Sequence, residues 1–125
     1  MGSGGGRYLK WIEGFEWNFV ELRMKGCTLD GVRGVDGDFL EWEPDRQYDL
    51  VFCLQVLEHI HDRTPFARKL FDCGRVVIVS VPYRWPAGSC DEHVHDPVDE
   101  HKLRDWTGRM SVERDTVDAR FVAVY

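Results

Sequence analysis

Two stretches of the chain carry apolar residues almost without a break, and between them apolar residues return at helical spacing. Neither Tyr48-Asp49-Leu50-Val51-Phe52-Cys53-Leu54 nor Arg75-Val76-Val77-Ile78-Val79-Ser80-Val81-Pro82 alternates polar with apolar positions. Each therefore predicts a strand covered on both faces, the habit of parallel sheets. From Thr64 to Asp72, Phe66, Ala67, Leu70 and Phe71 share one helical face, with Arg68 and Lys69 to the outside. Asp62 or Thr64 is placed to cap that helix, Pro65 to occupy its first turn and Gly74 to close it. Strand, helix and strand make a βαβ unit, whose crossover is expected to be right-handed.

The flanks carry weaker patterns. Arg7 to Ile12 predicts a short helix, Trp17 to Leu22 a strand ending near Glu21, and Val32 to Phe39 a strand weakened by its glycines and charges. Asp99 to Trp106 predicts a helix with Leu103 and Trp106 inward and Gly108 at its end. Val117 to Tyr125 is rich in β-formers and is assigned to a final strand. The expected class is α/β, a mostly parallel sheet flanked by helices, and 125 residues fit a single domain.

Charge narrows the partners. A net charge of −6 disfavours a nucleic-acid substrate, because affinity for a phosphate backbone comes largely from Lys and Arg displacing counterions. No stretch approaches the roughly 20 apolar residues that span a bilayer, and Met1 to Gly6 has no apolar signal region, so no membrane partner and a cytoplasmic location are expected. Cys27, Cys53, Cys73 and Cys90 form no C-x-x-C pair and read as reduced thiols.

Ligands of open α/β sheets bind beyond the carboxyl ends of the strands. The segments to inspect are therefore Gln55-Val56-Leu57-Glu58-His59-Ile60, Tyr83-Arg84-Trp85-Pro86-Ala87-Gly88, and His93-Val94-His95-Asp96-Pro97-Val98-Asp99-Glu100. On the residues Tyr48-Asp49-Leu50-Val51, Val56-Leu57-Glu58-His59-Ile60, Ser80-Val81-Pro82 and Asp99-Glu100-His101-Lys102-Leu103, the chain resembles the class I S-adenosylmethionine-dependent methyltransferases. The resemblance is densest from Asp36 to Gly108 and implies a Rossmann-like fold with S-adenosylmethionine as cofactor.

That resemblance assigns roles. Gly2, Gly4 and Gly6 fit the family's G-x-G-x-G loop, where a Cβ would block backbone amides from approaching the cofactor; the same run also reads as an expression linker. Glu21 stands where the family carries an acid for the ribose hydroxyls, with a solvated charge as the other reading. Asp38 looks like the acid for the adenine amino group, in preference to Asp36, with Phe39 packing by the ring. Leu54, Gln55 and Val56 are expected to line the cofactor cleft. Glu58 and His59 are assigned to setting the loop and helix start. The strand that precedes the glycine loop in the family has only Met1 to form it, so the fold is expected to be truncated at its N-terminus. Pairing of the edges so exposed predicts a homodimer.

His93, His95 and Asp96 leave three readings open. They can serve as an acid/base group acting on the methyl acceptor, as a divalent metal site with Asp99, or as polar ties for a long loop. The acid/base reading makes them the catalytic candidates, with no metal, and Tyr83, Arg84 and Trp85 are candidates for the acceptor pocket. The expected reaction is direct displacement of the sulfonium methyl by an oxygen or nitrogen of a small-molecule or sugar-like acceptor. The alternative is a cofactor-binding or inactive interaction domain with the same fold. A nicotinamide-dependent dehydrogenase is weaker still, since no strand precedes Gly2 to carry the dinucleotide fingerprint.

Overall fold

A computed structural model describes residue 14, residues 16–21 and residues 32–125. Gly2, Gly4, Gly6 and the Arg7–Ile12 helix lie outside the described residues. The chain divides between Glu43 and Pro44 into two compact units.

In the first unit, β1 (Trp17–Glu21) and β2 (Val32–Asp36) pair in parallel, Trp17 with Val32 through Glu21 with Asp36. The strand expected over Val32 to Phe39 stops at Asp36, because Gly37 and a turn follow. Asp38 Oδ1 accepts the amide hydrogen of Leu40 at 2.8 Å, and the Asp38 carbonyl accepts from the amides of Glu41 and Trp42. An aspartate side chain that bonds the backbone two residues on favours a turn over an extended ladder. Phe39 is buried and stacks on Trp42, with centroids 6.1 Å apart.

The second unit holds the βαβ element. β3 (Tyr48–Leu54) runs parallel to β4 (Gly74–Pro82), and α1 (Arg63–Cys73) lies between them in sequence. The apolar face of α1 is buried as its spacing predicts, at Phe66, Ala67, Leu70 and Phe71, and Cys73 is buried as well. Asp62 occupies the capping position, yet its side chain makes no capping hydrogen bond.

Gly74 closes α1 as expected, its amide donating to the Leu70 carbonyl, but without the left-handed conformation. It follows α1 directly in an extended conformation, φ −119° and ψ 146°, and opens β4. A Cβ on Gly74 would sit 2.7 Å from Val51 Cγ2. A glycine is required there because β3 approaches closely.

α2 (Glu100–Thr107) ends at the expected Gly108, while Asp99, expected inside the helix, caps its start. Asp99 Oδ1 accepts the Lys102 amide hydrogen at 2.9 Å, and that bond holds the Asp99 carboxyl below its ordinary pKa. Gly108 terminates the helix with φ 65°, donating to the Arg104 carbonyl.

The tail is a hairpin rather than one strand. β5 (Glu113–Val117) and β6 (Arg120–Val124) pair antiparallel, so Val117, expected in the final strand, belongs to its neighbour. Asp118 and Ala119, both at positive φ, turn the chain. β6 then pairs antiparallel with β4, giving the strand order β3-β4-β6-β5. The architecture is mixed α/β, with parallel pairs in both units and the hairpin along one side of β4. Phe121 and Ala123 of β6 are buried with Val77, Val79 and Val81 of β4, while all of β5 is exposed.

Candidate functional site

The second unit gathers its polar groups beyond the carboxyl ends of β3 and β4. Gln55 follows β3 with φ 55°, the left-handed region that costs a side-chain-bearing residue on the order of 1–3 kcal/mol. Two bonds hold it there: its amide donates to the Ser80 carbonyl at 2.9 Å, and its Nε2 donates to Ser80 Oγ at 3.1 Å. The chain therefore leaves the sheet sharply at Gln55, and Leu54, Gln55 and Val56 are all half-buried.

One turn of 3-10 helix, Leu57–His59, comes next. Leu57 is fully buried and anchors the turn. Glu58 is fully buried as well, and neither of its carboxylate oxygens has a hydrogen-bond partner. Burial pushes its carboxyl above the ordinary range, offset in part by its own nearby backbone amide and then by the imidazoles of His59 and His93.

The long loop after β4 folds back over this turn. The Val94 amide donates to the Glu58 carbonyl at 3.0 Å, and His59 Nδ1 lies 3.0 Å from the Glu92 carbonyl oxygen. His93 Nδ1 is 2.7 Å from Asp96 Oδ2, and both side chains are almost wholly buried, at 7% and 2% exposed. The His93 ring meets His59 edge-on with centroids 4.8 Å apart, and Trp85 at 5.7 Å.

The three expected catalytic residues therefore separate. His93 and Asp96 form one hydrogen-bonded pair. His95 instead sets its Nε2 2.8 Å from the Ile60 carbonyl oxygen and its ring against Trp106 at 5.2 Å. Burial lowers the His95 pKa, the Ile60 bond opposes that shift, and the charges of Arg63 and Lys102 add to it. Lys102 Nζ ties the same segment through the carbonyls of His95 and Pro97, at 2.6 and 3.0 Å. Asp99 caps α2.

The acceptor-pocket candidates are fastened to the hairpin turn. Tyr83 stacks on Phe121 at 5.7 Å and its amide donates to the Ala119 carbonyl; Trp85 Nε1 donates to that same oxygen at 3.1 Å. Arg84, at φ 55°, is exposed, with its guanidinium 4.9 Å from the centre of the Tyr83 ring. In the first unit, Glu21 ends β1 and Asp38 is exposed in the turn after β2.

The sequence assigned Glu58 to setting the loop and helix start, and its complete burial was not expected. An acid directly after Val56 and Leu57 carries no local sign of whether its carboxylate turns inward. Among the described residues, Glu58, His59 and His93 each offer one ligand-type atom, all within 4.8 Å of one another.

These features define a mixed α/β protein whose second unit carries a polar cluster beyond the carboxyl ends of β3 and β4. Among solved structures the chain is similar to one titled "Crystal structure of a putative type 11 methyltransferase from Sulfolobus solfataricus", with a TM-score of 0.73 at 15% identity, over 98% of this chain and 78% of that one. The likeness shows a methyltransferase fold. No protein-family model and no curated protein matches the sequence. Among the described residues, no helix is long and apolar enough to cross a membrane.

Proposed function

We propose that the chain transfers a methyl group from S-adenosylmethionine to an oxygen or nitrogen of a small-molecule acceptor. The buried His93–Asp96 pair carries this reading: it sits on the loop after β4 of a methyltransferase-like fold, where a methyl acceptor would be received. Two of the expected cofactor residues have suitable chemistry, each within its own unit. Asp38 is exposed in the turn after β2, where its carboxylate can accept from an amino group. Gln55 leaves β3 in a conformation that turns the backbone of Gln55 and Val56 out of the ladder.

S-adenosylmethionine, when bound, would supply an electrophilic sulfonium methyl group and carry away the electron pair on sulfur. The protein's tasks are then to orient the acceptor, exclude water and receive a proton. With His93 Nδ1–H donating to Asp96, the lone pair of His93 stands on Nε2, which takes the proton that the acceptor loses. His95 holds the loop to Ile60 and acts as a positioning residue. Tyr83, Arg84 and Trp85 form the acceptor side, and Trp85 packs on the His93 ring.

Single-turnover and steady-state assays of S-adenosylhomocysteine release, run over hydroxylated and amine-bearing small molecules, test this. His93→Asn is expected to lower kcat by about 10²–10⁴-fold, the usual contribution of a positioned base, with cofactor affinity unchanged. A variant that turns over at the wild-type rate removes His93 from the reaction.

A further inference from the structure

We propose that Glu58, His59 and His93 bind a divalent transition cation of the zinc type, with Asp96 orienting His93. The donor set is one carboxylate and two imidazoles, which is a three-ligand arrangement suited to zinc with a position left open. One atom from each residue already lies within 4.8 Å of the others. Tetrahedral zinc with bonds of 2.0–2.1 Å separates its donors by about 3.4 Å, so the cluster must contract by roughly 1.4 Å. His59, one-third exposed, has room to swing inward.

Glu58 points to the ligand. Its side chain is wholly buried, Oε1 lies 3.9 Å from His59 Nε2, and neither oxygen has a hydrogen-bond partner. Asp96 Oδ1, beside the same cluster, is buried and unpartnered as well. A buried carboxylate helped only by its own backbone amide is costly, and a dication at the cluster compensates it directly.

The imidazoles are prepared in the way metal-binding imidazoles are. A ligating histidine almost always gives its second ring N–H to a carboxylate or a backbone carbonyl, which fixes the tautomer and aims the lone pair. His59 Nδ1 has the Glu92 carbonyl and His93 Nδ1 has Asp96. Each ring is left with Nε2 as its donor atom.

The cation and the acceptor's proton would compete for the same His93 nitrogen, so zinc is expected to suppress methyl transfer. Binding itself is read without turnover, and its failure leaves the methyl-transfer reading standing. The experiment is calorimetric titration of the chelator-treated full chain with Zn²⁺ and separately with Mg²⁺, beside thermal unfolding in each ion and the visible spectrum with Co²⁺. The expected result is one Zn²⁺ per chain, a raised Tm, Co²⁺ bands of a low-coordinate site, and no response to Mg²⁺. Glu58→Gln and His59→Asn each weaken zinc binding at least tenfold, Asp96→Asn weakens it about 10–100-fold, and replacement of the exposed His101, His101→Asn, leaves it unchanged. Absence of zinc binding overturns the proposal, as does binding that survives both Glu58→Gln and His59→Asn.

Discussion

Replacing Gly74 by alanine should destabilise the protein through one contact. The backbone at Gly74 is extended, so alanine meets no conformational strain there. The added Cβ falls 2.7 Å from Val51 Cγ2, 3.1 Å from Val51 Cβ and 3.2 Å from the Val76 carbonyl oxygen. Carbon atoms pack at about 3.5–4.0 Å, so β3 and β4 must part by roughly 1 Å at this end or Val51 must leave its rotamer. Overpacking of this kind costs about 1–3 kcal/mol. Alanine recovers about 0.4–1 kcal/mol by restricting the unfolded chain. The net loss, about 1.3 kcal/mol at the centre of both ranges, lowers Tm by roughly 5 °C at about 4 °C per kcal/mol for a chain of this size. Urea unfolding of wild type, Gly74→Ala, Val51→Ala and the double variant measures the coupling. Val51→Ala removes the obstructing methyl, so the double variant should be more stable than the sum of the single losses by about 1 kcal/mol or more. A Gly74→Ala protein as stable as wild type, or strictly additive losses, would refute the reasoning.

Asp99→Ala should cost about 0.5–2 kcal/mol by uncapping α2, read from urea midpoints. The Asp99 pKa is lowered in the fold, so its contribution is present above the ordinary value of 3.8 and is lost as pH falls through the lowered value; the advantage of wild type over Asp99→Asn should shrink as the buffer is taken below that point. Burial pushes the Cys53 thiol up to about 12, so native protein alkylated at pH 8.5 should carry the label on half-buried Cys90 and not on Cys53, by peptide mass spectrometry. Label on Cys53 in folded protein would contradict its burial.

The legible parts of the fold are those whose residues answer to burial. β3, β4 and the inward face of α1 announce themselves because Val51, Cys53, Val77, Val79, Val81, Phe66 and Leu70 must leave water. α2 is bounded by a capping aspartate and a left-handed glycine, both local chemistry that a sequence displays. β5 is invisible for the opposite reason: Glu113-Arg114-Asp115-Thr116-Val117 is wholly exposed, and no apolar period marks it. Its turn is equally silent, since Asp118-Ala119 adopts positive φ without the glycine that usually advertises such a hairpin.

The site divides along the same line. His93, His95 and Asp96 stand out as a cluster, but only the folded loop decides that Asp96 pairs with His93 while His95 turns to Ile60. Sequence spacing fixes neither choice, because both depend on contacts more than 30 residues away, His59 to Glu92 and His95 to Ile60. Gln55 was expected at the cofactor cleft from its place after a strand. Its left-handed backbone, held by Ser80 of the neighbouring strand, is a tertiary property with no local signature.

Cofactor recognition is the claim on which the functional account rests, and calorimetric titration of the purified chain with S-adenosylhomocysteine, beside a nicotinamide dinucleotide, tests it most directly. The account predicts one site for S-adenosylhomocysteine and none for the dinucleotide. Asp38→Ala should weaken the binding by about 1–3 kcal/mol, the value of a hydrogen bond that the bound ligand itself buries over the exposed carboxylate, in a protein that remains folded. No heat with S-adenosylhomocysteine, or binding of the dinucleotide in its place, would contradict it.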